Sequence, residues 1–270
     1  MTEVFRFRAG TTPLIVSIPH CGTEIPPELA SRMTEAGRGV PDTDWHLERL
    51  YDFAADLGAS VLSARLSRFV IDLNRDPEGK PLYPGADNTE LCPSSTFDRE
   101  PIWQDAGAPD AAEIALRRER YWRPYHAKLE ETLAAVKARH GFALLFDAHS
   151  IRSRVPRFFE GRLPDFNLGT GDGITADPAL TESLKAICRA APGFTTALNG
   201  RFKGGFITRR YGRPSEGVQA VQLEMAQIVY MDESPPWTYR DVLAAEVRPT
   251  LRKLLETFAA YRFERSRAST

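Results

Sequence analysis

Phe142-Ala-Leu-Leu-Phe-Asp-Ala-His149-Ser150 decides how the rest of the chain is read. Entered from Gly141, its apolar run has the composition of a strand buried on both faces, and it leads straight into an acid, an imidazole and a hydroxyl. Polar groups at the carboxyl end of a buried strand mark the edge where open α/β sheets bind ligands. The segment feeding this strand, Asp110 to Arg139, has a helical stripe of Trp122, Tyr125, Leu129, Leu133 and Val136, with Pro124 expected to kink it.

Upstream, Pro13 to Pro19 predicts a first strand left by the loop His20 to Glu24, and Pro26-Pro27 opens a short helix. Asp42 to Gly58 is read as a helix whose inward stripe, Leu47, Leu50, Tyr51, Ala54 and Leu57, also carries Asp44; His46 points elsewhere. Ser60 to Ala64 and Arg68 to Arg75 predict two further strands. Asp76 to Pro109 and Ile151 to Ala176 are aperiodic and predict long loops.

Downstream come a helix from Asp177 to Ala191, a short strand near Thr195, a loop from Asn199 to Gly205 and a strand from Val218 to Glu224. A helix from about Tyr239 to Arg262, holding Pro249, closes the chain. Strands alternating with helices predict an α/β fold: three αβα layers around a mixed, mostly parallel sheet, in one domain spanning residues 1–270.

Charge balances at 35 basic against 36 acidic residues, which argues against nucleic acid or an anionic membrane as partner and for a small-molecule substrate. The first residues lack the apolar core of a signal peptide, and no run approaches a membrane span. Cys21, Cys92 and Cys188 suggest neither a disulfide framework nor a metal knuckle, and a reducing cytoplasm is the expected location. The glycines of Gly169 to Gly173 lack the Lys-Ser/Thr ending of a phosphate loop and read as a turn.

His20 and His149 each follow an apolar strand, and with Asp44 they make two imidazoles and a carboxylate, the ligand complement of an open catalytic zinc site. Taken singly, either histidine also fits a hydrogen-bonded loop position. Glu224, ending a strand, suits a general base on activated water, or alternatively a buried partner for an arginine. Arg68, Asn74, Arg75, Arg152 and Lys203 stand beside these positions and suit an anionic substrate.

Together Pro19-His-Cys-Gly22, Asp42-Thr-Asp-Trp45, Ser67 to Arg75, Asp147-Ala-His-Ser150, Asp165 to Thr170, Phe202-Lys-Gly-Gly205 and Gln222-Leu-Glu-Met225 resemble the N-formylglutamate amidohydrolases. The resemblance runs from about Pro13 to Asp232. It implies a phosphorylase/hydrolase-like fold, as in zinc carboxypeptidases and cell-wall amidases, and hydrolysis of N-formyl-L-glutamate to formate and L-glutamate in histidine degradation. It also implies a divalent metal, with zinc the expected ion, on His20, Asp44 and His149, and Glu224 as base. Carboxypeptidases place the acidic ligand at the position of Thr23 here, so Glu24 competes with Asp44 for the role; Asp44 is preferred.

Three other readings share these residues. The same site would serve an amidase for another N-acyl amino acid or a peptide, Cys21 would serve a thiol amidase, and the fold would serve a protein that binds without turnover. Asp147 is expected to orient a ligand, which leaves Ser150 without a nucleophilic role.

Overall fold

Strands buried on both faces form the centre of the sheet. In the computed structural model, which describes residues 3–262, the strands are β1 (Phe5–Arg8), β2 (Leu14–Ile18), β3 (Ser60–Ala64), β4 (Ala143–Ile151), β5 (Phe166–Gly169), β6 (Thr196–Leu198) and β7 (Val218–Ala226). They form one seven-stranded sheet in the order β1-β3-β2-β4-β7-β5-β6. The pairings of β2 with β3 and β4, of β4 with β7, and of β5 with β6 are parallel; β1–β3 and β5–β7 are antiparallel. The fold is α/β with a mixed, mostly parallel sheet.

Each central strand feeds two cores. Leu14, Val16 and Ile18 of β2, Leu144 and Phe146 of β4, and Leu223 and Met225 of β7 pack on one side. Helices α3 (Leu47–Leu50), α6 (Pro178–Ala190) and α8 (Asp241–Ala260) cover that side through Leu47, Leu184, Leu251 and Phe258. Ile15, Leu145 and Ala220 face the other way, toward Tyr125, Leu129 and Leu133 of α5 (Arg123–His140). Every residue of β4 is buried, as the run of the sequence requires of a central parallel strand. Each such leucine or phenylalanine contributes about 1.5–3 kcal/mol by leaving water.

The helix entering β4 begins as α4 (Ala111–Arg117), capped by Asp110, whose side chain accepts from the Glu113 amide. A π turn, Arg118–Trp122, joins it to α5 just ahead of Pro124, which has no N–H to continue the ladder. Gly141, at φ 83°, ends α5 in the left-handed conformation. Short helices α1 (Pro27–Ala30), α2 (Glu35–Arg38) and α7 (Phe206–Tyr211) complete the set. Among the described residues no helix is long and apolar enough to cross a membrane.

Several expectations are corrected. Asp42 to Gly58 is not one helix: residues 41–46 form turns, followed by α3 and a 3-10 turn at Asp52–Ala55. His46 adopts a left-handed φ of 62°, which no helix interior accommodates. Arg68 to Arg75 is buried but is not a strand, because Asp72, Ser67 and Arg68 satisfy its polar groups locally: Ser67 Oγ accepts from the Phe69 amide, and Asp72 Oδ1 from the Asn74 amide.

β4 runs through Ile151, so His149 lies within the strand rather than in a loop after it. β1, β5 and α7 were not expected. The first and last residues of the expected 1–270 domain lie outside the described residues.

The chain leaves β2 for β3 on one side and returns to β4 on the other. The carboxyl ends of β2 and β4 therefore flank a reversal of strand order, where a crevice opens in such sheets.

Candidate active site

Register puts the chemistry on one face. In the parallel β4–β7 pair Asp147 stands opposite Gln222 and His149 opposite Glu224, all on the face of Leu145 and Ala220. His20 arrives just past β2. The Asp44 amide donates to the His20 carbonyl at 3.0 Å, which ties the turn bearing Asp44 to the β2 loop. Asp44 thus reaches the site from a turn, not from a helical stripe.

His20, Asp44 and His149 are all buried, and one ligand atom from each lies within 4.8 Å of the others. Both rings point Nδ1 at Asp44 Oδ2, at 3.8 Å from His20 and 3.0 Å from His149. Both turn Nε2 toward another carboxylate, His20 to Asp72 at 2.7 Å and His149 to Asp147 at 3.2 Å. Two imidazole Nδ1 atoms and a carboxylate oxygen thus converge on one buried point. Such a set can hold a cation, and two histidines with one carboxylate fit a divalent metal that keeps a further position open.

The electrostatics carry the same message. Burial lowers the His149 pKa, yet Asp147 and Asp44 overcome it and hold the imidazole well above its usual value. His20 goes down, through burial and Arg68, against Asp72 and Asp44. Burial pushes the Glu224 carboxyl up to about 8, Asp44 and Asp147 adding to the rise while His149 and Arg68 oppose it. A further positive charge beside Glu224 favours its ionised form, the one able to accept a proton.

Asp72 is the residue that sequence reasoning missed. Completely buried, it accepts from His20, from Arg68 Nη2 at 2.6 Å and from the Asn74 amide at 2.9 Å. Burial opposes its ionisation, but Arg68, Arg75 and His20 hold it well below the usual carboxylate range. The sequence shows Asp72 only as one position of the apolar Arg68 to Arg75 run, whose strand-like composition hides its turn.

A cavity opens over His20, His149 and Glu224. Arg68 and Asn74 line it as expected, although the Asn74 amide group lies 3.0 Å from His149 Nε2 and its Oδ1 accepts from the Ile207 amide. Gly205 must be glycine, since a Cβ there would sit 2.2 Å from Asn74 Nδ2. Arg75 lines the cavity while donating to Thr89 and to the Asn74 carbonyl, so it fastens the long loop to the site.

Two of the expected substrate-binding residues lie apart from the cavity lining. Arg152 pairs with Asp98 at 2.9 Å and is not among the cavity-lining residues. Lys203 turns its half-exposed ammonium to Asp172 at 3.1 Å, outside the cavity. The basic residue of that loop which lines the cavity is Arg201.

The competing residues are placed elsewhere. Glu24 is half-buried, away from the cavity lining, and pairs with Arg65 at 2.9 Å. Cys21 directs its thiol to the Ile18 and Ala64 carbonyls, and burial raises its pKa far from a thiolate's. Ser150 Oγ is 2.7 Å from Tyr230 Oη in a buried network. A His46 ring nitrogen meets the Trp237 carbonyl at 2.6 Å.

The chain is 52% identical over 265 residues to an N-formylglutamate deformylase of Pseudomonas aeruginosa, covering 98% of this chain and 99% of that one. It is 49% identical to the deformylase of Pseudomonas putida with the same coverage. The crystal structure of an N-formylglutamate amidohydrolase from Ralstonia eutropha is similar at a TM-score of 0.79 and 29% identity, over 96% of this chain and 97% of that one. A gene product of Agrobacterium tumefaciens shares the fold at a TM-score of 0.71 and 18% identity, over 95% of each chain. The N-formylglutamate amidohydrolase family model matches residues 12–231, a span that contains His20, Asp44, Asp72, His149 and Glu224, and the chain therefore belongs to that family.

Proposed function

We propose that this chain hydrolyses N-formyl-L-glutamate to formate and L-glutamate, with a divalent metal, zinc, held by His20, Asp44 and His149 and with Glu224 as the general base. The observation that carries the reading is the convergence of three buried ligand atoms beside a buried carboxyl on the neighbouring strand. Names of relatives at about half identity supply the substrate. Residues 1–270 act as one catalytic unit, and the three free cysteines suit a cytoplasmic enzyme.

When bound, the metal supplies Lewis-acid polarisation and lowers the pKa of water from about 16 toward ~7. Glu224 removes the proton from the attacking water, and its burial makes the protonated carboxyl stable enough to wait for the departing glutamate nitrogen, to which it returns that proton. Asp72 holds His20 by Nε2, while Asp147 and Asn74 flank the Nε2 of His149 and orient its ring. Arg68, anchored by Asp72 beside His20, supplies a guanidinium for the α-carboxylate, which sits on the carbon bearing the scissile nitrogen.

The substrate is tested by formate or acid release from N-formyl-L-glutamate, N-acetyl-L-glutamate, N-formyl-L-aspartate and short peptides. A clear preference for N-formyl-L-glutamate is expected. Preference for an acetylated amino acid or a peptide would establish the alternative amidase instead.

A further inference from the structure

The substrate carries a second carboxylate beyond its side-chain methylenes, remote from the scissile bond. Arg68, held on Asp72 at 2.6 Å beside His20, is already assigned to the α-carboxylate, and Arg75 lies 3.8 Å from Asp72 with its nitrogens on Thr89 and Asn74. Arg201 differs. Among the described residues no carboxylate pairs with it, and its Nε alone is engaged, donating to the Phe158 carbonyl at 2.6 Å.

Its position is fixed all the same. The guanidinium carbon stands 4.9 Å from the Tyr83 ring and 5.4 Å from the Phe202 ring, an aromatic setting that favours the charged planar group. The loop carrying it is tied at both ends. Asn199 bonds the Leu168 carbonyl at 2.8 Å, the Lys203 amide donates to Tyr83 Oη at 3.1 Å, and the Gly205 amide donates to Gln222 Oε1 at 2.6 Å.

Gln222 in turn donates to Glu224 at 3.2 Å, so the base and the arginine's loop share one rigid connection. Arg201 lines the cavity, its terminal nitrogens have no protein partner among the described residues, and its guanidinium has the fork shape that matches a carboxylate, so little ordering entropy remains to be lost on binding.

We propose that Arg201 receives the side-chain carboxylate of the substrate and so sets the preference for dicarboxylic N-acyl amino acids; this rests on the deformylase reading above.

The test compares kcat/KM for N-formyl-L-glutamate with that for its neutral isostere, N-formyl-L-glutamine, in wild type, Arg201→Ala and Arg201→Lys. Arg201→Ala should lose about 100-fold on the acid and far less on the amide, while Arg201→Lys should retain an intermediate preference. Equal losses on both substrates, with a wild-type thermal midpoint, would overturn the proposal.

Calorimetric binding of L-glutamate against L-glutamine to the same proteins separates this from failure of the deformylase reading. A wild type that cleaves no formyl amino acid would refute that reading alone, if Arg201→Ala still abolished selective glutamate binding. Unchanged glutamate binding in Arg201→Ala would overturn the arginine's role whatever the reaction.

Discussion

The sheet edge and the loop wall of the cavity divide the work between them. On the sheet edge, His149 and Glu224 are locked by the β4–β7 register, and Asp44 is bound through its amide to the His20 carbonyl. On the loop wall, Tyr83, Phe158 and Arg201 come from connections whose positions depend on side-chain contacts such as Arg201 to the Phe158 carbonyl. The proposed roles therefore put chemistry where the backbone is most constrained and selectivity where small loop changes re-aim it. Substitutions at the edge should abolish turnover, whereas those on the wall should redirect it.

The largest effects belong to the metal set. Asp44→Ala, like His20→Ala, should eliminate both bound metal and turnover, while Glu24→Ala should keep a full complement; elemental analysis of the purified variants decides between the two acids. Glu224→Gln should retain the metal and lower kcat by about 1,000-fold, the upper range of a general acid–base contribution. Normal turnover in that variant would remove Glu224 as the base.

Asp72→Asn lies between the two regions, because one carboxylate holds both His20 and Arg68. It should weaken metal binding by roughly 10–100-fold and also raise KM, since the arginine loses its anchor. An effect on metal affinity with KM unchanged would separate Arg68 from the substrate.

At the small end, Lys203→Ala should change kcat/KM by no more than about twofold, since its pairing with Asp172 is solvent-exposed. A loss as large as that expected for Arg201→Ala would exchange the roles of the two residues.

Behind the edge, His126 offers a pH test that involves neither region. Its Nε2 meets the Leu73 carbonyl and its Nδ1 meets Tyr211 Oη, both at 2.8 Å. Burial pushes its imidazole down to about 3, against the raising effects of the Leu73 carbonyl and Asp147. Below the ordinary histidine value of about 6.5 the unfolded chain takes up a proton that the native chain refuses, so this stability is complete above about 6.5 and is lost as pH falls toward 3. Urea unfolding at pH 7 and pH 5 should show roughly 2 kcal/mol less loss in His126→Gln than in wild type. Equal losses would mean that His126 is protonated in the native state.

The legible parts of the sequence were those with local periodicity. β3, β4, β7 and the helices α5, α6 and α8 carry their own hydrophobic pattern, and the metal set follows from what ends β2 and β4. The helical placement of Asp44 does not hold: Leu47 and Leu50 are core residues as a helix would make them, but the acid precedes α3 in a turn. Arg68 to Arg75 is as apolar as a strand, and only tertiary contact reveals that Asp72 folds it into a hub. β1, β5 and α7 are short elements stabilised by their neighbours rather than by their own pattern. Arg201 was invisible because its distinguishing property, the lack of a carboxylate partner, exists only in the fold.

The central claim is that a metal on His20, Asp44 and His149 is required for hydrolysis. It is tested by formate release from N-formyl-L-glutamate after the purified protein is stripped with a chelator and then again after zinc is restored. The account predicts no release from the stripped protein and recovery at about one metal per chain. Full activity in verified metal-free protein would contradict it.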